Sequence, residues 1–173
     1  MVGEEKIIYV VVAETVQHPL TRTIVDRRLV RLDTTRDIVQ IPGRLAAQAC
    51  HAVSRMRYSE LAREIEETTI KALTSRKKRV PMVVPFQPIT TIILSCRDSF
   101  ELEHCYNLLR DHAGVLAYKF EDTNPAVYCT GCRPEDYSRL CKDQITTAFA
   151  TVPVDKQQVL GYLDYLPLWT PKV

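Results

Sequence analysis

The sequence predicts a single α/β domain, built on a mixed sheet of about four strands with helices on both faces. Three observations point there. Ile7-Ile8-Tyr9-Val10-Val11-Val12 and Thr90-Thr91-Ile92-Ile93-Leu94-Ser95-Cys96 are continuous runs rich in β-branched residues, as in strands covered on both sides. Downstream of each run, apolar residues recur at intervals of three and four, the period of a helix face. With 173 residues, 46% of them apolar and 25% charged, the chain suffices for one domain with a real core.

Taken in order, the first strand is Ile7 to Val12. Residues 14 to 40 read as an excursion. Within it, Ile24-Val25 to Arg31-Leu32 and Ile38-Val39-Gln40-Ile41 are expected to pair as a hairpin around Asp33-Thr34-Thr35-Arg36-Asp37. After the turn pair Pro42-Gly43, a long helix runs from about Arg44 toward Lys71, with a break expected near Tyr58-Ser59. The second strand covers Thr90 to Cys96. Asp98, followed three residues later by Glu101, resembles a capping box opening the next helix, whose apolar face is Leu102, Cys105, Leu108 and Leu109. Gly114 stops that helix. Val115 to Phe120 is a third strand, completing a strand–helix–strand unit of the parallel type. Thr146 to Val154 is the fourth, and Lys156 to Tyr165 a short helix.

Composition excludes some classes. No apolar run approaches the roughly 18–20 residues that cross a bilayer, so no membrane role is expected. The acidic start Met1-Val2-Gly3-Glu4-Glu5-Lys6 lacks a signal-peptide core, which points to the cytoplasm. Six cysteines in that setting read as reduced thiols. A net charge of +2 identifies no partner. The one basic cluster, Arg76-Lys77-Lys78-Arg79, reads as a solvated loop, or alternatively as a phosphate contact for a nucleic acid.

The chemistry concentrates in Gly43-Arg44-Leu45-Ala46-Ala47-Gln48-Ala49-Cys50-His51-Ala52. On a helix, Leu45, Ala46, Ala49, Ala52, Val53 and Met56 share one side, while Arg44, Gln48, His51 and Arg55 form a polar ladder on another. The alanines permit a close approach to a sheet. The ladder then sits at the sheet's rim.

This segment resembles the opening of the first helix in the type II, archaeal and eukaryotic, peptidyl-tRNA hydrolases. The resemblance extends to the strand at 90–96 and the helix at 98–113. Phe120-Glu121-Asp122-Thr123-Asn124 is similar to the family's strand end and active-site loop, and Thr147 to Pro153 with Val159-Leu160-Gly161-Tyr162-Leu163 to its last strand and helix. About two-thirds of the chain lies along the pattern. One domain over 1–173 is then expected, with insertions at about 14–40 and 124–144.

The resemblance implies hydrolysis of the ester joining a peptide to the 3′ ribose of tRNA. That reaction needs a positioned water, a proton acceptor and donors for an oxyanion. Carried over, the family's catalytic positions fall on Arg44, Gln48, Asp122 and Thr147, with His51, Thr123 and Asn124 as substrate-binding candidates. The family's lysine is here Arg44, which keeps its charge but cannot shuttle a proton near neutral pH. A family threonine falls on Ala126, and Pro125 replaces a usual cation. Asp122 alone reads as a turn cap with Thr123 and Asn124 or, at the carboxyl end of a parallel-type strand, as a functional group. A tRNA partner and a homodimer are implied, and no cofactor or metal. Cys129-Thr130-Gly131-Cys132 is half of many zinc sites, but Cys141 and His104-Cys105 do not supply the other half at a standard spacing, so buried thiols are the plainer reading. The alternative to an enzyme is a non-catalytic RNA-binding or protein-interaction domain on the same fold.

Overall fold

The computed structural model describes residues 6–16, 22–25, 28–31, 38–74, 89–122 and 145–170. β1 (Ile7–Val16) forms the middle of the sheet. Its residues Ile8 to Ala13 are all buried. Tyr9, Val11 and Ala13 point into one core, Ile8, Val10 and Val12 into another. The continuous apolar run therefore marks a strand buried on both faces, as expected of it.

Among the described residues, four elements separate β1 from the C-terminal half. β2 (Arg22–Val25) and β3 (Arg28–Arg31) pair with each other antiparallel, and the two residues of β4 (Ile38–Val39) pair with Thr15 and Val16 of β1. The expected hairpin is thus corrected. Val25 pairs with Arg28, so β2 and β3 are the antiparallel pair, and Ile38-Val39 extends the main sheet. α1 (Pro42–Thr74) follows without the expected break near Tyr58-Ser59. Pro42 opens the first turn, where its missing N–H costs nothing. Ile41 carbonyl accepts from the N–H groups of Arg44 and Leu45 at 2.9 and 3.1 Å. Arg63, bonded to Glu60 and Glu67 one turn on either side, supports the outer half of the helix. β5 (Thr90–Asp98) then pairs parallel to β1, from Ile7 opposite Thr90 to Thr15 opposite Asp98.

α2 (Ser99–Asp111) is capped as expected, with one displacement. Asp98 Oδ1 accepts from the N–H groups of Phe100 and Glu101, both at 3.0 Å, but the Glu101 carboxylate returns to the N–H of Arg97. Gly114 leaves the helix at φ +63°, a conformation that favours glycine. β6 (Ala117–Asp122) and β7 (Ile145–Thr151) complete the sheet in the order β5-β1-β7-β6. β7 is antiparallel to both its neighbours, so β6 runs in the same direction as β5 but is separated from it by two strands, β1 and β7. The parallel neighbours are β1 and β5, not β5 and β6 as expected.

The helix α3 (Lys156–Val159) is one turn long, where a run to Tyr165 was expected. Leu160 turns to extended backbone and Gly161 takes φ +85°, which ends it. The chain beyond runs along β5, with Trp169 N–H donating to Ile93 carbonyl and Ser95 N–H to Pro167 carbonyl, both at 3.0 Å. This covers what is otherwise an open sheet edge.

Helices lie on both faces. α2 packs Leu102, Cys105 and Leu109 against Tyr9, Val11 and Phe149, together with Val159, Leu163 and Leu166. α1 packs Leu45, Ala49, Ala52 and Met56 against Val10, Val12, Ala148 and Ala150. Alanine against alanine brings α1 close to β7, and that approach positions the site. Among the described residues, no helix is long and apolar enough to cross a membrane.

Candidate functional site

The polar ladder of α1 meets the end of β6. Arg44 Nη2 donates to Asp122 Oδ2 at 2.7 Å, and Gln48 Nε2 donates to the same oxygen at 2.7 Å. Thr147 Oγ1 donates to Gln48 Oε1 at 2.8 Å. A carboxylate only accepts, so the Gln48 amide must present its nitrogen to Asp122 and its oxygen to Thr147. The threonine hydroxyl is then obliged to donate. One chain of hydrogen bonds thus runs from β7 through α1 to β6.

The chain grades from dry to wet. Thr147 is 0% exposed and Gln48 3%. The Arg44 and Asp122 side chains are 12% and 19% exposed, so the charged end touches solvent. Each charge-assisted bond contributes about 1.5–3 kcal/mol, more than a neutral one, because the carboxylate is only partly hydrated.

Thr147 reaches α1 through an irregularity in the sheet. Phe120 pairs with Ala148, but Glu121 pairs with Thr146, which skips Thr147 in the β6 register. Strict alternation would place Thr147 with Ile145 and Phe149, which pack on the α2 side. The bulge re-aims it.

Three alternate residues of β6 face α1. Asp122 meets Arg44 and Gln48, Phe120 stacks on His51, and Tyr118 Oη donates to Glu60 Oε1 at 2.5 Å. β6 therefore runs along α1 in the opposite sense, with contacts at both ends and the middle. Burial, then the hydrogen bond to Glu60, pushes the Tyr118 hydroxyl up to about 12. Burial raises the Glu60 carboxyl, but hydrogen bonds from Arg63 and Tyr118 outweigh it and leave the group below its ordinary range.

All four residues expected to be catalytic are brought together, with His51 at the next turn. Thr123 and Asn124 lie outside the described residues, as do Pro125, Ala126, Cys129, Cys132, Cys141 and Arg76 to Arg79. His104 is exposed on α2, while Cys105 is buried in the core beside the Tyr165 hydroxyl, 3.0 Å away. Burial pushes the Cys105 thiol up, which disfavours the thiolate a metal requires. Among the described residues, no three His, Cys, Asp or Glu side chains are placed to hold a metal ion. Phe120, Tyr118 and Glu60 were not singled out from sequence. The signal available was period-2 alternation through Tyr118, Phe120 and Asp122 on a strand facing a helix.

A groove of about 250 Å³ between Ile8, Met56, Ile89 and Pro153 borders α1 from Arg57 to Glu67, beyond His51. It contains none of the ladder residues from Arg44 to Arg55. No protein-family model matches this chain, and no curated protein matches it in sequence.

Proposed function

We infer that the protein hydrolyses the ester between a peptide and the 3′ ribose of tRNA. The observation that carries this reading is the hydrogen-bond chain Thr147–Gln48–Asp122–Arg44 at the carboxyl end of β6. Ester hydrolysis adds a water oxygen to the carbonyl carbon, breaks that carbon's bond to the ribose 3′ oxygen and transfers a water proton to the departing oxygen. Asp122 would accept or steer that proton. Arg44 would supply positive charge toward the oxyanion or the departing oxygen. Gln48 and Thr147 would hold the carboxylate in place, since Gln48 is bonded at both ends of its amide. The likeness of the Gly43 to Ala52 segment to type II peptidyl-tRNA hydrolases supports the substrate class. A cytoplasmic homodimer belongs to the same proposal.

A second reading is a non-catalytic RNA-binding domain. It is favoured by one observation: Arg44 and Asp122 are bonded to each other, so cation and carboxylate partly neutralise one another. Cleavage of peptidyl-tRNA by wild type and Arg44→Lys separates the two. Under the hydrolase reading wild type cleaves, and lysine retains or improves the rate. Salt-sensitive tRNA binding with no cleavage by either protein would overturn hydrolysis and favour the binding domain.

A further inference from the structure

We propose that His51 and Phe120 form a stacking platform for the nucleobase at the 3′ end of the RNA, an inference that rests on the tRNA reading above. The His51 and Phe120 rings are stacked, with centroids 5.0 Å apart and planes 16° from parallel. His51 is exposed and Phe120 half-buried. A histidine alone on a helix surface samples several rotamers. Here the phenylalanine beneath it holds the imidazole plane, so the outward group is a flat π surface in a fixed attitude.

The platform stands beside the carboxylate. At 3.6 residues per turn, Arg44, Gln48, His51 and Arg55 fall within about 60° of one another around the helix axis. Gln48 and His51 are about 4.5 Å apart along that axis, and Phe120 and Asp122 about 7 Å apart along their strand. This separation is comparable with the span from a ribose 3′ oxygen to the base on the same sugar. An ester held at Asp122 therefore places its own base at His51. Arg55, exposed one turn further along the stripe, is a cation where the preceding phosphate would pass.

The surroundings favour a base over an apolar side chain of the peptide. An apolar side chain is held by a pocket that removes it from water, whereas His51 lies open on the helix surface between Gln48 and Arg55. A base needs only one π face, and stacking is indifferent to its identity.

The test uses a short RNA ending in 2-aminopurine, whose fluorescence is quenched on stacking, and the same RNA lacking its terminal base. Wild type, His51→Ala and His51→Phe are titrated, with the Tm of each recorded to exclude misfolding. We expect quenching by wild type, loss of quenching with roughly five- to hundredfold weaker binding for His51→Ala, and retention for His51→Phe. Wild type should bind the abasic RNA as weakly as His51→Ala binds the intact one. Absent quenching by wild type, unchanged affinity of His51→Ala, or indifference to the terminal base would each overturn the platform. Peptidyl-tRNA cleavage is measured separately. Cleavage that ignores the terminal base sinks the platform and spares hydrolysis, while stacking without cleavage does the reverse.

Discussion

Replacing Thr147 by valine removes a single hydroxyl from a side chain that is 0% exposed. The change leaves almost the same shape, so no cavity enters the balance. What it leaves is Gln48 Oε1 without the proton that Thr147 supplied at 2.8 Å, on a residue only 3% exposed. An orphaned buried acceptor costs about 1–3 kcal/mol. For a chain of this size each kcal/mol lowers Tm by roughly 2–4 °C. Gln48→Met alone should also destabilise, by orphaning the Thr147 hydroxyl. Together the two changes remove both polar partners, so the double variant should lose about 1 kcal/mol less than the sum of the singles. Urea unfolding of the four proteins, followed by far-UV circular dichroism, measures this cycle. Thr147→Val within about 0.5 kcal/mol of wild type, or a strictly additive cycle, would refute the hydrogen-bond chain as drawn.

Two further outcomes follow from neighbouring contacts. The Tyr118 hydroxyl is raised from 10.0 to about 12, so the stability it contributes is complete below pH 10 and is lost as pH rises toward 12. Urea midpoints measured from pH 9 to 11 should therefore fall more for wild type than for Tyr118→Phe, and parallel curves would contradict the contact with Glu60. Asp98→Ala removes the acceptor for the N–H groups of Phe100 and Glu101, and should cost about 0.5–2 kcal/mol by the same assay.

Much of the sheet was legible because burial writes itself into composition. The run Ile7 to Val12 has no polar face, and β1 is covered on both sides. The ladder Arg44, Gln48, His51 and Arg55 follows from helical period alone, and α1 extends unbroken through it. Asp122 was legible as a strand-end carboxylate. Partner choice was not. Ile38-Val39 has the composition of a hairpin strand, but whether it pairs with β3 or β1 depends on which edge the chain passes. The bulge that turns Thr147 toward α1 is a register shift between β6 and β7 and leaves no trace in either strand taken singly. The short α3 ends where Leu160 turns to extended backbone and Gly161 takes a positive φ, a local break that the apolar spacing through Tyr165 does not show.

Single-turnover hydrolysis of an N-blocked aminoacyl-tRNA by wild type and Asp122→Asn tests the proposed reaction most directly. The carboxamide keeps the size of the side chain and can turn its oxygen to the position that Arg44 and Gln48 share, but it cannot take a proton. We expect cleavage by wild type and a rate lower by at least about a hundredfold for Asp122→Asn, with tRNA affinity retained. Equal rates for the two proteins, or no cleavage by wild type, would contradict the assignment of Asp122 as the group that handles the proton.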